Sequence, residues 1–133
     1  MTWARGTFEA ELKPEPPSDE DEGTTLGRMS IGKQFHGDLE ATSRGTMLTA
    51  TTRTEGSAGY VAIERVRGSL GGKVGSFVLQ HHGLMTRGAP RLTVSVVPDS
   101  GSGKLAGLSG RMTIRIEKQI HYYEFEYSLR PRR

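Results

Sequence analysis

The chain has 133 residues and a mass of 14.5 kDa, enough for one hydrophobic core and too short for two ordinary ones. It contains no cysteine and no asparagine, which excludes disulfides, thiolate metal sites, cysteine nucleophiles and N-glycosylation. The net charge of +3 hides an asymmetry: residues 15–22, EPPSDEDE, carry five acids and no base, so the remainder holds 18 bases against 10 acids.

Apart from the terminal Arg130, Arg132 and Arg133, those bases are scattered one at a time. Nucleic-acid binders concentrate their bases on one element. A dispersed excess reads as a solvated surface, and no nucleic-acid partner is expected. No apolar run approaches the ~20 residues of a membrane span. The opening MTWARGTFEAELKPE lacks the apolar stretch of a signal peptide. These features predict a soluble, cytoplasmic protein with no membrane partner.

Glycine, proline and serine interrupt the chain every 8 to 15 residues, and the runs between are rich in Val, Ile, Thr, Tyr and Phe. That pattern predicts short strands and little or no helix. The first, 3–13, puts Phe8, Ala10 and Leu12 on one face. The stretch at about 14–24 follows, with five acids and Pro14, Pro16 and Pro17, and reads as a mobile acidic surface loop. Strands are then predicted over 25–36 and 39–52. Between them, His36, Asp38 and Glu40 have the look of metal ligands, but Gly37 and Asp38 are plain turn residues and no second cluster exists. No metal or other cofactor is expected.

The next two strands, 59–70 and 73–86, form a hairpin about Gly71-Gly72, a pair suited to the positive φ angles of a type I′ turn. Pairing Leu70 with Lys73 sets Val66 opposite Phe77, Glu64 opposite Leu79, Ala62 opposite His81 and Tyr60 opposite Gly83. The inward face then holds Tyr60, Ala62, Val66, Leu70, Phe77, Leu79 and Met85, with Glu64 and His81 among them. The outward face mixes Val61, Ile63 and Val78 with arginines, which predicts that part of it is covered by another subunit.

Strand 90–98 follows, with Val94 and Val96 in the core. The last pair, 104–117 and 120–130, is joined at Lys118-Gln119. Its register sets Ile116 opposite His121, Ile114 opposite Tyr123 and Met112 opposite Phe125, while Arg111 meets Glu126 on the outer face. Phe8, Ile31, Phe77, Leu79, Val94, Val96, Ile114 and Phe125 are the expected core.

About eight antiparallel strands, each with one apolar face, close most economically into a barrel, which leaves no free edge. The predicted fold is therefore a single all-β domain spanning residues 1–133, an eight-stranded antiparallel β-barrel. Small inward residues, Ala41, Ser43, Gly45, Ala62 and Gly83, offer room for a small apolar ligand. Tyr60, Phe77, Leu79, His121, Tyr123, Phe125 and Tyr127 are the candidate lining residues.

Glu64 is the candidate for chemistry. It sits on the apolar parity of its strand, with His81 as its diagonal neighbour. A carboxyl in an apolar lumen is expected to have a raised pKa and to act as an acid or base, with His81 sharing its proton. His81 and His82 are adjacent and point to opposite faces. GSGKLAG at 101–107 fails the phosphate-loop pattern, which needs glycine at 98 and Ser or Thr at 105, where Pro98 and Leu105 stand.

The runs FHGDLEATSRGTM, GSAGYVAIERVRGSL, GSFVLQHHGLM and VVPDSGSGKLAGLSG together resemble a small bacterial domain-of-unknown-function family with an allene-oxide-cyclase-like barrel. The resemblance implies an eight-stranded antiparallel barrel and a homo-oligomer, and carries no catalytic residues. Three functions fit: a barrel that binds a small apolar or amphipathic molecule, an isomerase or cyclase using Glu64 and His81, and a structural oligomer with a filled core.

Overall fold

A computed structural model describes residues 1–130; the terminal bases Arg132 and Arg133 lie outside the described residues. The chain forms ten strands: β1 (Thr2–Pro14), β2 (Asp19–Asp21), β3 (Thr24–Gly37), β4 (Leu39–Thr51), β5 (Ala58–Leu70), β6 (Lys73–Thr86), β7 (Ala89–Val96), β8 (Ser102–Gly103), β9 (Leu108–Glu117) and β10 (Ile120–Leu129). No helix occurs among the described residues, and so none is long and apolar enough to cross a membrane.

Eight of these strands close into an antiparallel barrel in the order β1-β10-β9-β7-β6-β5-β4-β3, with β3 pairing back onto β1. β2 adds a short pairing to β3, and β8 one to β6. The closure follows from the alternation of the sequence. Each long strand has one apolar parity, and rolling the sheet buries all of those faces at once.

The two hairpin registers agree with those expected, pair for pair. Gly71 and Gly72 both have positive φ, and Val66, Glu64 and Ala62 face Phe77, Leu79 and His81. The Lys118-Gln119 turn also uses positive φ, at 50° and 68°, although neither residue favours it. The matched faces of β9 and β10 fix this register and so impose the turn. β9 begins at Leu108 rather than 104, because residues 104–107 turn through Gly107 instead of extending. The acidic segment 15–22 is exposed throughout, and Asp19–Asp21 pair with Thr24–Leu26 as a small hairpin.

The two ends of the barrel differ. At one end Ala4, Leu39, Ala41, Leu70, Phe77, Leu108, Tyr123 and Phe125 pack into a dry core, and Leu105 closes it from the loop after β7. The Tyr123 hydroxyl staples this end. It accepts a hydrogen bond from the Leu39 N–H at 2.9 Å and donates one to the His36 carbonyl at 2.9 Å. Burial pushes its pKa up to about 12. At the other end Leu12, Met85, Leu92 and Ile116 occupy the inward parity yet are 40–63% exposed. The rim at this end, the mouth of the barrel, leaves these side chains uncovered. β1 runs past the pairing with β10, so Glu9–Pro14 bond to β3 alone and the rim is ragged there.

Of the eight expected core residues, seven are buried; Ile114, near the mouth, is half-buried and packs on the core's edge.

Candidate functional site

Between the dry end and the mouth lies a buried polar cluster. β5 carries Glu64 inward between Ala62 and Val66, and β6 carries His81 inward two residues beyond Leu79. Glu64 is fully buried and His81 nearly so. His81 Nε2 stands 2.7 Å from Glu64 Oε2. That contact is short but off the line of a ring N–H, so it is a close polar contact rather than an aligned hydrogen bond. A third member comes from β3, where Lys33 donates from Nζ to the same Oε2 at 2.9 Å, its side chain 9% exposed.

Lys33 is the functional residue that sequence reasoning missed. Its signal was parity: it lies two residues from Ile31 and two from Phe35, both buried inward residues of β3. Its ammonium also lies 5.0 Å from the centre of the Phe8 ring and 5.9 Å from that of Phe35, so the aromatic faces replace some of the lost hydration. His121 stacks on the other partner, Phe8, at 4.9 Å between ring centres. On the far side the Tyr60 ring lies 6.4 Å from that of His81. A continuous chain of contacts thus runs from His121 through Phe8, Lys33 and Glu64 to His81 and Tyr60.

The electrostatics reverse one expectation. Burial pushes the Glu64 carboxyl up, but the contacts from His81 and Lys33 together outweigh it and hold the pKa down at about 2. Glu64 is therefore a fixed carboxylate and not the raised-pKa acid expected of a lone carboxyl in an apolar lumen. Tyr60 is shifted upward, first by burial and then by the Glu64 charge. Glu64 Oε1 and Ser43 Oγ are buried without a hydrogen-bond partner among the described residues. Ser43 is directly opposite Lys33 across the β3–β4 ladder and faces Val66 across β4–β5, which makes it a diagonal neighbour of Glu64.

The candidate lining residues divide between the two ends. Tyr60 and His121 are half-buried and sit with the polar cluster. Phe77, Leu79, Tyr123 and Phe125 belong to the dry core, where Phe77 and Phe125 stack at 5.8 Å. Tyr127 is half-buried at the closed end, 5.3 Å from Phe125. Two of the small residues expected to leave room, Gly45 and Gly83, are crowded by neighbours. A Cβ on Gly45 would strike the Ile63 carbonyl and the Glu64 backbone, and one on Gly83 would strike the Tyr60 ring. They let adjacent strands and side chains approach closely.

His36 sits on the outer surface against Glu9, at 3.0 Å, and no group of three metal-ligating side chains occurs among the described residues.

The family model described as a protein of unknown function, DUF3224, matches residues 4–127. The chain belongs to the DUF3224 family. Its barrel is similar to the crystal structure of a DUF3224 protein of unknown function from Shewanella oneidensis MR-1. The two share 52% sequence identity with a TM-score of 0.93, over 98% of this chain and 99% of that one. No curated protein matches. The DUF3224 barrel is thus shared with that solved structure, and the role of its polar cluster has to be argued from the residues themselves.

Proposed function

We propose that this DUF3224 protein is a binding barrel that takes a small amphipathic molecule at its mouth. The observation that carries the reading is the exposed apolar lining of that mouth, Leu12, Met85, Leu92 and Ile116, above a buried polar cluster. Apolar side chains on the inward parity of a barrel are ordinarily covered, so their exposure at one end only marks a place for an apolar group. Met29 and Met47, half-buried and opposite one another on β3 and β4, supply a flexible wall that can shape itself to a ligand. Below them, Glu64 Oε1 is an acceptor without a hydrogen-bond partner among the described residues, and it favours a ligand whose polar end donates a hydrogen bond.

The acid–base alternative has less support. A carboxyl held near pKa 2 is not a proton donor near neutrality and is a weak base. The filled-core alternative accounts for the closed end and leaves the mouth unexplained.

Native mass spectrometry of protein purified from its own host tests the reading. A co-purifying amphiphile is expected, and Met85→Glu at the rim should reduce its retention. A ligand-free spectrum from that host, with the rim intact, would refute the binding function.

A further inference from the structure

The chain scatters its arginines, and the fold gathers three of them. Arg44 on β4 stands directly opposite Arg65 on β5, and Arg67 follows two residues along β5 on the same outward parity. All three are exposed. With Thr42, Ile63 and Val78 they line one shallow hollow on the outer wall of the barrel. Directly opposite residues on an antiparallel ladder have Cβ atoms about 5 Å apart, and residues two apart on a strand are about 6.6 Å apart. The three guanidinium stems therefore rise from one small patch.

Like charges directly opposite on a ladder repel, and the chain supplies nothing to offset the repulsion. Among the described residues, Arg44, Arg65 and Arg67 form no ion pair. The outward parity of β3–β6 holds a single acid, Glu40. Its carboxylate accepts a hydrogen bond from the Gly37 N–H at 2.8 Å and lies beside His36. On the other flank of Arg44 is Gly32, which has no side chain. Beyond Gly32 comes Glu11, which pairs with Lys13 at 3.3 Å. Arg67 is flanked by Thr42 on β4 and by Ser76 on β6, whose hydroxyls add neutral donors to the patch.

Three donor forks with no acceptor among them suit a compact anion of more than one charge. A guanidinium meets phosphate oxygens bidentately. A single phosphate engages part of the patch, and two linked phosphates reach all three arginines. No Phe, Tyr or Trp stands on the outward parity of β3–β6, so the face offers no platform on which a nucleic-acid base could stack. We propose that the hollow between Arg44, Arg65 and Arg67 is a binding site for the diphosphate group of a small molecule. It lies on the outer wall and does not depend on what the mouth holds.

Isothermal titration calorimetry of the full chain with inorganic pyrophosphate at low salt tests this. Pyrophosphate is expected to bind at one site per chain with a Kd below ~1 mM, and more weakly as salt rises. Orthophosphate should bind at least about tenfold more weakly, because it makes fewer charge-assisted hydrogen bonds. Arg44→Gln with Arg65→Gln should weaken pyrophosphate binding at least about tenfold. Arg28→Gln with Arg91→Gln removes the same charge from exposed positions away from the hollow, and should change the affinity less than about twofold. All substituted residues are exposed, and circular dichroism of each variant checks that the barrel persists. Amide shifts in NMR should concentrate at Arg44, Arg65, Arg67 and Ser76 as pyrophosphate is added. No measurable pyrophosphate binding, orthophosphate bound as tightly, equal losses in the two double variants, or shifts spread over the whole surface would each overturn the proposal. So would a short oligonucleotide, or vesicles of phosphatidylglycerol, binding through these arginines where pyrophosphate does not, since the patch would then serve a nucleic acid or an anionic bilayer.

Discussion

Replacing Lys33 by Met removes the ammonium from a fully buried carboxylate and keeps much of the aliphatic stem. In the native protein the Glu64 carboxyl falls from 4.5 to about 2. At ~1.4 kcal/mol for each tenfold change in acidity, that lowering is on the order of 3 kcal/mol of stability. Breaking a buried pair at one partner costs about 3–5 kcal/mol in general, so Lys33→Met should lose about 3 kcal/mol in urea denaturation at pH 7. The pH dependence follows from the sign of the shift. The folded value lies below the unfolded one, so the contribution is complete above pH ~4.5 and disappears as the pH falls toward about 2. The gap between wild type and Lys33→Met should therefore narrow over that window. Adding Glu64→Gln to Lys33→Met should recover at least half of the loss at pH 7, because no uncompensated charge then remains. A loss below ~1 kcal/mol, or a double variant no more stable than the single one, would show that the cluster is solvated and that the ion pair does not hold Glu64.

Phe125→Ala should cost roughly 3–5 kcal/mol through lost transfer energy and a cavity beside Phe77; a loss under ~1 kcal/mol in thermal or urea unfolding would contradict its place in the dry core. Tyr123→Phe should cost about 1–3 kcal/mol, because it strands the buried Leu39 N–H, and hydrogen exchange at Leu39 should rise with it. Glutamyl endopeptidase should cut first within residues 15–22, where every side chain is exposed; a first cut within a barrel strand, with that segment intact, would count against this.

The fold was legible because strand parity survives in the sequence wherever a strong turn anchors it. Gly71-Gly72 fixed one register, and the matched apolar faces about Lys118-Gln119 fixed another against the preference of the turn residues. Glu64 and His81 were found together for the same reason. Lys33 was not, since a single lysine between Gly32 and Gln34 looks like any exposed base until the parity of Ile31 and Phe35 is imposed on it. Missing it left the expected titration of Glu64 incomplete, because burial raises the carboxyl and the contacts of His81 and Lys33 together bring it down. The exposure of the mouth was not legible either. Leu12, Leu92 and Ile116 have the parity of core residues; β1 reaches beyond β10 at Leu12, and Leu92 and Ile116 lie beyond the short pairing of β7 with β9 at Val94–Met112 and Ser95–Arg111.

The seam of the barrel joins the first strand to the last, with Thr2 beside Tyr127, 125 positions along the chain. Strands β3 to β7 pair in order as neighbours, but the ring cannot shut until β10 arrives, so a nascent chain passes through an open curved sheet with two unsaturated edges, β1 and β7. Such long-range closure is slow compared with hairpin formation, and those edges are the places where an unfinished chain is most prone to pair with another. The last ten-residue strand therefore acts as the step that turns a self-adhesive ribbon into a finished particle, and truncation there should cost solubility out of proportion to the residues removed.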